Sequence, residues 1–318
     1  MAQVAVPAGR PVGKRRRGPR GILREMRREW TAYLFNAPGL ILFAIFTVYA
    51  VTEAFILSFH RWNILQPTKP FVGLQNYRQV LRDGTFWASI GHSVYFTIGS
   101  LFPTLAIGLF LAILLNSKLR AVGLFRTAFY LPAITPLVIS SLIWKWVYNG
   151  DYGLANYYLQ KAHLISKPVD WLSNFHLAMP AVIVMQIWIG IGFSMVVYLA
   201  GLQAIPRELY EAAEVDGAGR WRQFRKITLP LLAPTTIFLL VIQVILLMNA
   251  FDQIFVMTGG GPPGPGGVTT TVTYYIYTNA FRYYRMGYAS ALSWVLFVIL
   301  FTVSFIQFRY YVKRVERA

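Results

Sequence analysis

The chain has 318 residues, of which 56% are hydrophobic and only 13% are charged, whereas soluble domains are typically about 45–50% apolar and about 25% charged. Its net charge of +18 would suit a nucleic-acid-binding protein, but a mean hydropathy of +0.48 indicates a chain that lies in a lipid bilayer, so no nucleic-acid partner is expected. The sequence has no cysteine, which excludes disulfide frameworks, thiol catalysis and Cys-ligated zinc or iron–sulfur sites.

Six apolar segments are long enough to cross a membrane, because a helix needs roughly 20 mostly apolar residues to span about 30 Å of hydrocarbon. They cover residues 33–59, 90–115, 124–148, 176–202, 231–257 and 286–311. The sequence therefore predicts an all-α, polytopic membrane protein with six transmembrane helices. Its predicted parts are a basic tail (1–32), a six-helix transmembrane domain (33–311) with a loop at 203–230, and a short tail (312–318).

The distribution of Lys and Arg predicts the orientation, because basic loops stay on the cytoplasmic side. With the N-terminus inside, the inner segments carry 19 of these residues and the outer segments carry 8. The first apolar run is about twice as long as the core of a signal peptide and begins too far into the chain. We therefore expect a retained anchor and cytoplasmic termini.

Catalytic motifs are missing from the sequence. It has no His-Glu-x-x-His metal motif, no Gly-x-Ser-x-Gly elbow and no phosphate-binding loop of the Gly-x-x-x-x-Gly-Lys-Ser/Thr type,. The chain is not expected to be an enzyme, to bind a metal or to carry a cofactor. If it works with ATP, another chain must bind the nucleotide.

Two carboxylates lie within the predicted spans, Glu53 in the first and Asp252 in the fifth. An ionisable group at membrane depth is a functional candidate unless it reaches the interface. Glu53 is interpreted as an interfacial carboxylate. Asn249 lies three positions before Asp252 on the same predicted helix, so the two are expected to share a face and line a polar path.

The loop between the fourth and fifth spans is unusually rich in charge. It contains four of the twelve acidic residues of the chain, together with five basic residues. Pro206 can start a helix over 207–215, Gly217 and Gly219 can end it, and a second helix can run from 220 to 227 before Pro230. Composition alone leaves two interpretations open, a docking site for a partner or a solvated charged loop.

The residues of this loop resemble a known motif. The run Glu211-Ala212-Ala213-Glu214-Val215-Asp216-Gly217-Ala218, followed by Leu229-Pro230, closely resembles the Glu-Ala-Ala loop of permease subunits from bacterial binding-protein-dependent ABC importers. Further segments are similar to those of carbohydrate-uptake permeases of the maltose and glycerol-phosphate type. They are Phe125-Arg126-Thr127 with Tyr130-Leu131-Pro132, the run 201–206, Thr258-Gly259-Gly260 with Pro262, and the run 287–291.

The resemblance implies an importer in the bacterial cytoplasmic membrane. Its expected partners are a second permease, an ABC ATPase dimer that holds ATP and magnesium, an extracytoplasmic solute-binding protein and membrane lipid. The residues that it assigns to ATPase coupling, called the coupling segment below, are Glu211, Ala212, Ala213, Glu214, Asp216, Gly217 and Ala218. Those assigned to the path of a sugar or glycoside, called the path residues, are Gln186, Trp188, Gly190, Phe193, Asn249 and Asp252.

Two other functions remain open on sequence grounds. An ion-coupled secondary transporter needs carboxylates near mid-membrane, usually in repeated halves. A membrane scaffold that docks a partner through the charged loop needs no polar residues within the fourth and fifth spans.

Overall fold

A computed structural model describes residues 30–116, 121–258 and 267–315. Most of the predicted basic tail and the Gly/Pro-rich stretch 259–266 lie outside these ranges. The chain divides into two compact units, Met1–Ala54 and Phe55–Ala318.

The first unit contains most of helix α1 (30–57), which has a π-helical turn at Ala44–Tyr49. Its segment Tyr33–Leu57 is long and apolar enough to cross a membrane, and none of its most hydrophobic stretch is buried. A helix that is apolar on every side is suited to lipid or to another membrane helix.

The second unit is built from twelve helices in its described part. They are α2 (Gln75–Arg82), α3 (Gly84–Leu115), α4 (Val122–Ile134), α5 (Leu137–Val147), α6 (Leu154–Lys161), α7 (Ala178–Gln203), α8 (Arg207–Val215), α9 (Arg220–Leu231), α10 (Ala233–Met248), α11 (Asp252–Met257), α12 (272–282) and α13 (Met286–Val315). The predicted all-α fold class is confirmed. The final helix continues to Val315, so residues 312–315 of the predicted tail are helical.

Four helices, α1, α3, α7 and α13, are long and apolar enough to cross a membrane without interruption. Two further crossings are bent pairs, α4 with α5 at 97° and α9 with α10 at 58°, which gives six if each pair counts as one. The first bend lies between Ile134 and Leu137. Thr135 is extended (ψ 132°) because it precedes Pro136, and this separates the two helices,.

Contacts between the helices define the relative directions of three crossings. On α3, Gly99 lies against Ile183 of α7 and Gly108 lies against Ser194, since a Cβ built on each glycine would lie 2.8 and 2.7 Å from these neighbours. Because the contacts advance in the same order along both helices, α3 and α7 run parallel. Helix α10 runs antiparallel to α7. Gly201, near the end of α7, contacts Thr235 near the start of α10, whereas Ser194, earlier in α7, is hydrogen-bonded to Gln243 later in α10. Glycine and serine permit this close approach, as is usual in membrane bundles.

The fifth predicted span is interrupted between Met248 and Asp252. Helix α10 stops at Met248 and α11 starts at Asp252. The Asn249 amide Nδ2 donates to the Ile245 carbonyl at 2.8 Å, and the Thr271 hydroxyl donates to the Ala250 carbonyl at 2.7 Å. These side chains occupy backbone carbonyls that would otherwise accept the hydrogen bonds of a continuous helix. The prediction that Asn249 and Asp252 share one helical face is therefore wrong.

Asp83 joins three helices at the start of α3. Its Oδ1 accepts from the backbone N–H groups of Thr85 (2.9 Å) and Phe86 (3.2 Å) as a helix cap, and its Oδ2 accepts from the hydroxyls of Tyr275 on α12 and Tyr288 on α13 (2.6 and 2.5 Å). Burial acts to raise the pKa of Asp83, but the four hydrogen bonds together outweigh it and lower the pKa below 3.8,.

The lowered pKa predicts a pH-dependent contribution to stability. The carboxylate should stabilise the fold above the unfolded-state pKa, and this contribution should vanish as the pH falls through the lower folded-state value. We expect Asp83→Asn to cost about 1 kcal/mol at neutral pH, and to cost less as the pH falls through the ordinary range of aspartate carboxyls and below it. Thermal unfolding of the detergent-solubilised protein measures this.

The exposed carboxylate of Asp151 offers a control, since Asp151→Asn removes the same charge without these partners. If the two substitutions lower the unfolding temperature equally at every pH, the hydrogen bonds of Asp83 do not stabilise the fold.

Candidate functional site

Helix α8 carries most of the coupling segment, and its bounds, Arg207–Val215, are those that the sequence predicts. Pro206 precedes it with ψ 134°, so the chain turns into the helix at this residue,. Most of the segment is exposed, with Ala213 and Ala218 half-buried. Val215 and Trp221 are 89% and 72% exposed beside its carboxylates. This mixed apolar and acidic surface is suited to a protein partner.

Gly217 ends α8 in a Schellman motif. Its φ is +72°, in the left-handed region that favours glycine,. The Ala218 N–H donates to the Ala213 carbonyl (2.8 Å) and the Gly217 N–H donates to the Glu214 carbonyl (3.0 Å), which satisfies two free carbonyls of the last turn,. The motif's glycine is therefore the residue that fixes the direction in which the chain leaves α8.

Two side-chain hydrogen bonds tie α8 and its turn to α9. The hydroxyls of Tyr210 and Thr228 lie 2.9 Å apart, and the Gln223 amide donates to the Ala218 carbonyl at 3.0 Å. Ile205, just before α8, is buried in the main core. The coupling segment is thus attached to the helix that follows it as well as to the one before.

Helix α9 extends beyond the predicted end at residue 227. A π-helical turn at Phe224–Thr228 precedes Pro230, and the helix continues to Leu231 before the 58° bend. The wider π-helical turn shifts the backbone hydrogen-bond pattern just before Pro230, which has no N–H to donate. The prediction of a short second helix is corrected to one that leads directly into α10.

The path residues of α7 face different neighbours. The Gln186 Oε1 accepts from Gln253 of α11 at 3.3 Å, and Trp188 packs edge-on against Trp144 of α5 at 5.8 Å between ring centroids. A Cβ built on Gly190 would lie 2.9 Å from Thr104, so this glycine is a packing point between α7 and α3. Phe193 is 37% exposed.

The two path residues of the fifth crossing lie apart from these. Asn249 lines a cavity of about 530 Å³ between α10, α12 and α13, together with Thr273, Ser293 and Ser304. Asp252 is exposed at the start of α11. The structure therefore joins Gln186 to Gln253 but does not gather all six path residues around one cavity.

Sequence reasoning missed the partners of the buried amides. Gln243 is 7% exposed and donates to the Ser194 hydroxyl at 2.7 Å, and Gln253 is 3% exposed. Glutamines within an apolar run are the visible signal, since burial without a partner is costly. Within the described ranges, no group of three or more His, Asp or Glu side chains could hold a metal ion.

Comparison with known proteins identifies the family. A family model matches residues 86–317, and its description is "binding-protein-dependent transport system inner membrane component". The matched residues contain α8 and the coupling segment. The chain belongs to this family. It is accordingly a transport subunit and not an enzyme, and the predicted binding-protein-dependent permease is confirmed.

Curated relatives of this inner membrane component match over most of both chains. The trehalose/maltose transport system permease protein MalF of Thermococcus litoralis is 39% identical over 280 residues, 86% of this chain and 92% of the relative. The arabinooligosaccharides transport system permease protein AraP of Bacillus subtilis is 35% identical, covering 87% of each. The lactose transport system permease protein LacF of Rhizobium radiobacter is 33% identical, covering 87% and 92%.

A solved structure shows the same fold. A chain of a bacterial ABC transporter involved in the import of the acidic polysaccharide alginate superposes with a TM-score of 0.80. The match covers 92% of this inner membrane component and 98% of that chain, at 24% identity. The arrangement of four uninterrupted apolar helices and two bent pairs is therefore the fold of that transporter chain.

Proposed function

We propose that this inner membrane component is one of two permeases in an ATP-driven importer of a sugar or glycoside. The names of three relatives, for trehalose/maltose, arabinooligosaccharides and lactose transport, support this substrate class. The observation that carries the proposal is the exposed α8, ended by Gly217 and tied to α9, because it offers a partner a rigid element that leads into a membrane crossing.

The proposed partners divide the work of transport. An ABC ATPase dimer binds ATP and magnesium and receives α8 in a cleft, where the carboxylates of Glu211, Glu214 and Asp216 can pair with basic groups. An external solute-binding protein delivers the substrate. A related alginate transporter has been solved in complex with a pentasaccharide-bound periplasmic protein, which supports this arrangement.

The proposed location is the bacterial cytoplasmic membrane, with both termini and α8 on the cytoplasmic side. The excess of Lys and Arg in the segments on that side supports this orientation,. The domain organisation follows from it, with a basic inner tail over 1–32 and a transmembrane domain over 33–311 that includes the coupling loop 203–230.

The path residues are proposed to contact the substrate as it crosses. Trp188 and Phe193 offer aromatic faces to the apolar face of a sugar ring, while Gln186, Asn249 and Asp252 offer groups that bond hydroxyls. Gly190 contributes by keeping α7 close to α3. Closure of the ATPase dimer would move α8 and switch the path between its two openings.

Purification from the native host tests the proposed assembly. The tagged chain, solubilised gently, should bring down a second permease and an ABC ATPase that mass spectrometry identifies. Recovery of the chain alone, under conditions that preserve other membrane complexes, would contradict it.

Substitution of two path residues tests the transport role. We expect Asn249→Leu with Asp252→Leu to reduce uptake of labelled sugar about tenfold or more, because two polar contacts are lost, each worth about 1 kcal/mol. The ATPase should still co-purify. The matched control is Asp151→Leu, which replaces an exposed carboxylate outside the path. Equal uptake by the test and control variants would show that neither Asn249 nor Asp252 belongs to the path.

A further inference from the structure

A polar cavity of about 710 Å³ lies at the base of the coupling loop. The ends of α3 and α7 meet α4, α8 and α9 there. Three arginines line it, Arg126, Arg207 and Arg220, together with side-chain amides and hydroxyls, and no carboxylate of the described chain is among its lining residues. The cavity is therefore a concentration of positive charge that no acidic group in its wall neutralises.

The guanidinium of Arg126 on α4 is only partly hydrogen-bonded. Its Nη2 donates to the Leu115 carbonyl, at the end of α3, at 3.0 Å. Its Nε is buried and has no hydrogen-bond partner among the described residues. A guanidinium stays charged at all physiological pH values, and a buried charged donor without an acceptor is costly. The geometry calls for an oxygen-rich anion beside Arg126.

The position of the cavity along the bundle indicates where such an anion comes from. Helix α7 is apolar over its length, and its 26 residues rise about 39 Å, more than the about 30 Å of hydrocarbon. The charged helix α8 follows the end of α7 at Gln203 directly, so this end and the end of α3 beside it lie at the level of lipid headgroups,. Ile113 lines the cavity and is 37% exposed.

We propose that this cavity binds the phosphate of an anionic phospholipid headgroup. Guanidinium groups match phosphate oxygens through paired N–H donors, which suits Arg126, Arg207 and Arg220 better than a single point charge. The exposed side chain of Ile113 in its wall is placed to contact the first carbons of an acyl chain. Since Arg207 starts α8 and Arg220 starts α9, the bound lipid links both ends of the coupling loop to the membrane surface.

Native mass spectrometry of the purified, delipidated full chain tests this. The chain is titrated with phosphatidylglycerol or phosphatidylcholine of the same acyl composition. Wild type should bind phosphatidylglycerol about tenfold or more tightly than phosphatidylcholine, because its net negative headgroup is attracted by the guanidinium groups of the cavity. The double variant Arg207→Gln/Arg220→Gln should lose most of this preference.

The matched control is Arg222→Gln/Arg225→Gln, which removes two exposed charges of α9 that do not line the cavity. It should keep the preference within about twofold. Arg126 is left intact so that the end of α3 keeps its hydrogen bond, and thermal unfolding checks that both double variants fold. Loss of preference in both, or in neither, overturns the proposal.

Two further results would each reject lipid as the occupant. If inorganic phosphate binds with the same dependence on Arg207 and Arg220 and displaces phosphatidylglycerol, the site takes a free anion. If the isolated chain shows no lipid preference but the double variant loses its ATPase in co-purification, the arginines meet acidic groups of that partner. Because the titration uses the chain without partners, its result does not depend on whether the importer carries a sugar.

Discussion

Replacing Gly217 by valine is expected to abolish most transport while leaving the protein in the membrane. At φ +72° an L residue costs about 1–2 kcal/mol, and a branched β-carbon adds to this, so the Schellman turn after α8 should be lost. No described atom lies near enough to clash, since a Cβ here would meet nothing within 4 Å. Uptake in vesicles should fall about tenfold or more, and stimulation of the ATPase by the binding protein should fall with it.

The chain supplies its own control two residues further on. Gly219 is also exposed, its Cβ would meet nothing within 4 Å, and its φ of −64° with ψ 162° suits any residue. Gly219→Val should therefore transport at close to the wild-type rate. Gly217→Asn should recover part of the activity, because asparagine tolerates the left-handed region. Normal uptake by Gly217→Val would mean that the coupling segment does not act through this turn.

Replacing Gly192 by valine should strongly destabilise the helix bundle. A Cβ at this position would lie 2.5 Å from the Phe129 carbonyl oxygen and 2.9 Å from the Tyr130 Cα. Both atoms are backbone, so α4 and α7 must separate. Overpacking of this kind costs about 3 kcal/mol. The solubilised protein should unfold at a lower temperature and elute in part as aggregate in size-exclusion chromatography.

Gly91 of α3 is the control for that experiment, because its Cβ would meet nothing within 4 Å. Gly91→Val adds the same side chain to a helix of the same bundle without pressing on a neighbour. A monodisperse Gly192→Val protein with wild-type thermal stability would contradict the close contact between α4 and α7.

Local signals in the sequence were sufficient for the coupling segment. Pro206 and Gly217 mark the two ends of α8 by their own backbone preferences, so its bounds were predicted correctly. Asp83, followed by Gly84 and Thr85, carries a helix-cap signal of the same kind. Hydrophobicity predicts that the second span starts at residue 90. Helix α3 starts six residues earlier, after the Asp83 cap, where the residues are less apolar.

The candidate path could not be predicted in the same way, because its geometry depends on contacts distant in sequence. The break after Met248 is stabilised by Thr271 and by aromatic packing of Phe251 against Tyr277, with ring centroids 4.9 Å apart. The Gln186–Gln253 hydrogen bond spans 67 positions of sequence. A single sequence shows that these residues are polar or aromatic but not which of them meet.

The bend between α9 and α10 enlarges a displacement that starts at the coupling loop. The bend is at Leu232, which is buried and lies against Gly201 of α7, so it has the position of a fulcrum. The arm on the side of α8 is α9, about 18 Å long, and the arm on the side of Asn249 is α10, about 24 Å long,. If the two arms turn as one crank, a displacement of α8 reaches Asn249 enlarged by about one third. A partner that drives this movement would need to displace α8 only a short distance. A rigid bend at Leu232 would transmit the whole displacement to α10, whereas a flexible bend would lose part of it.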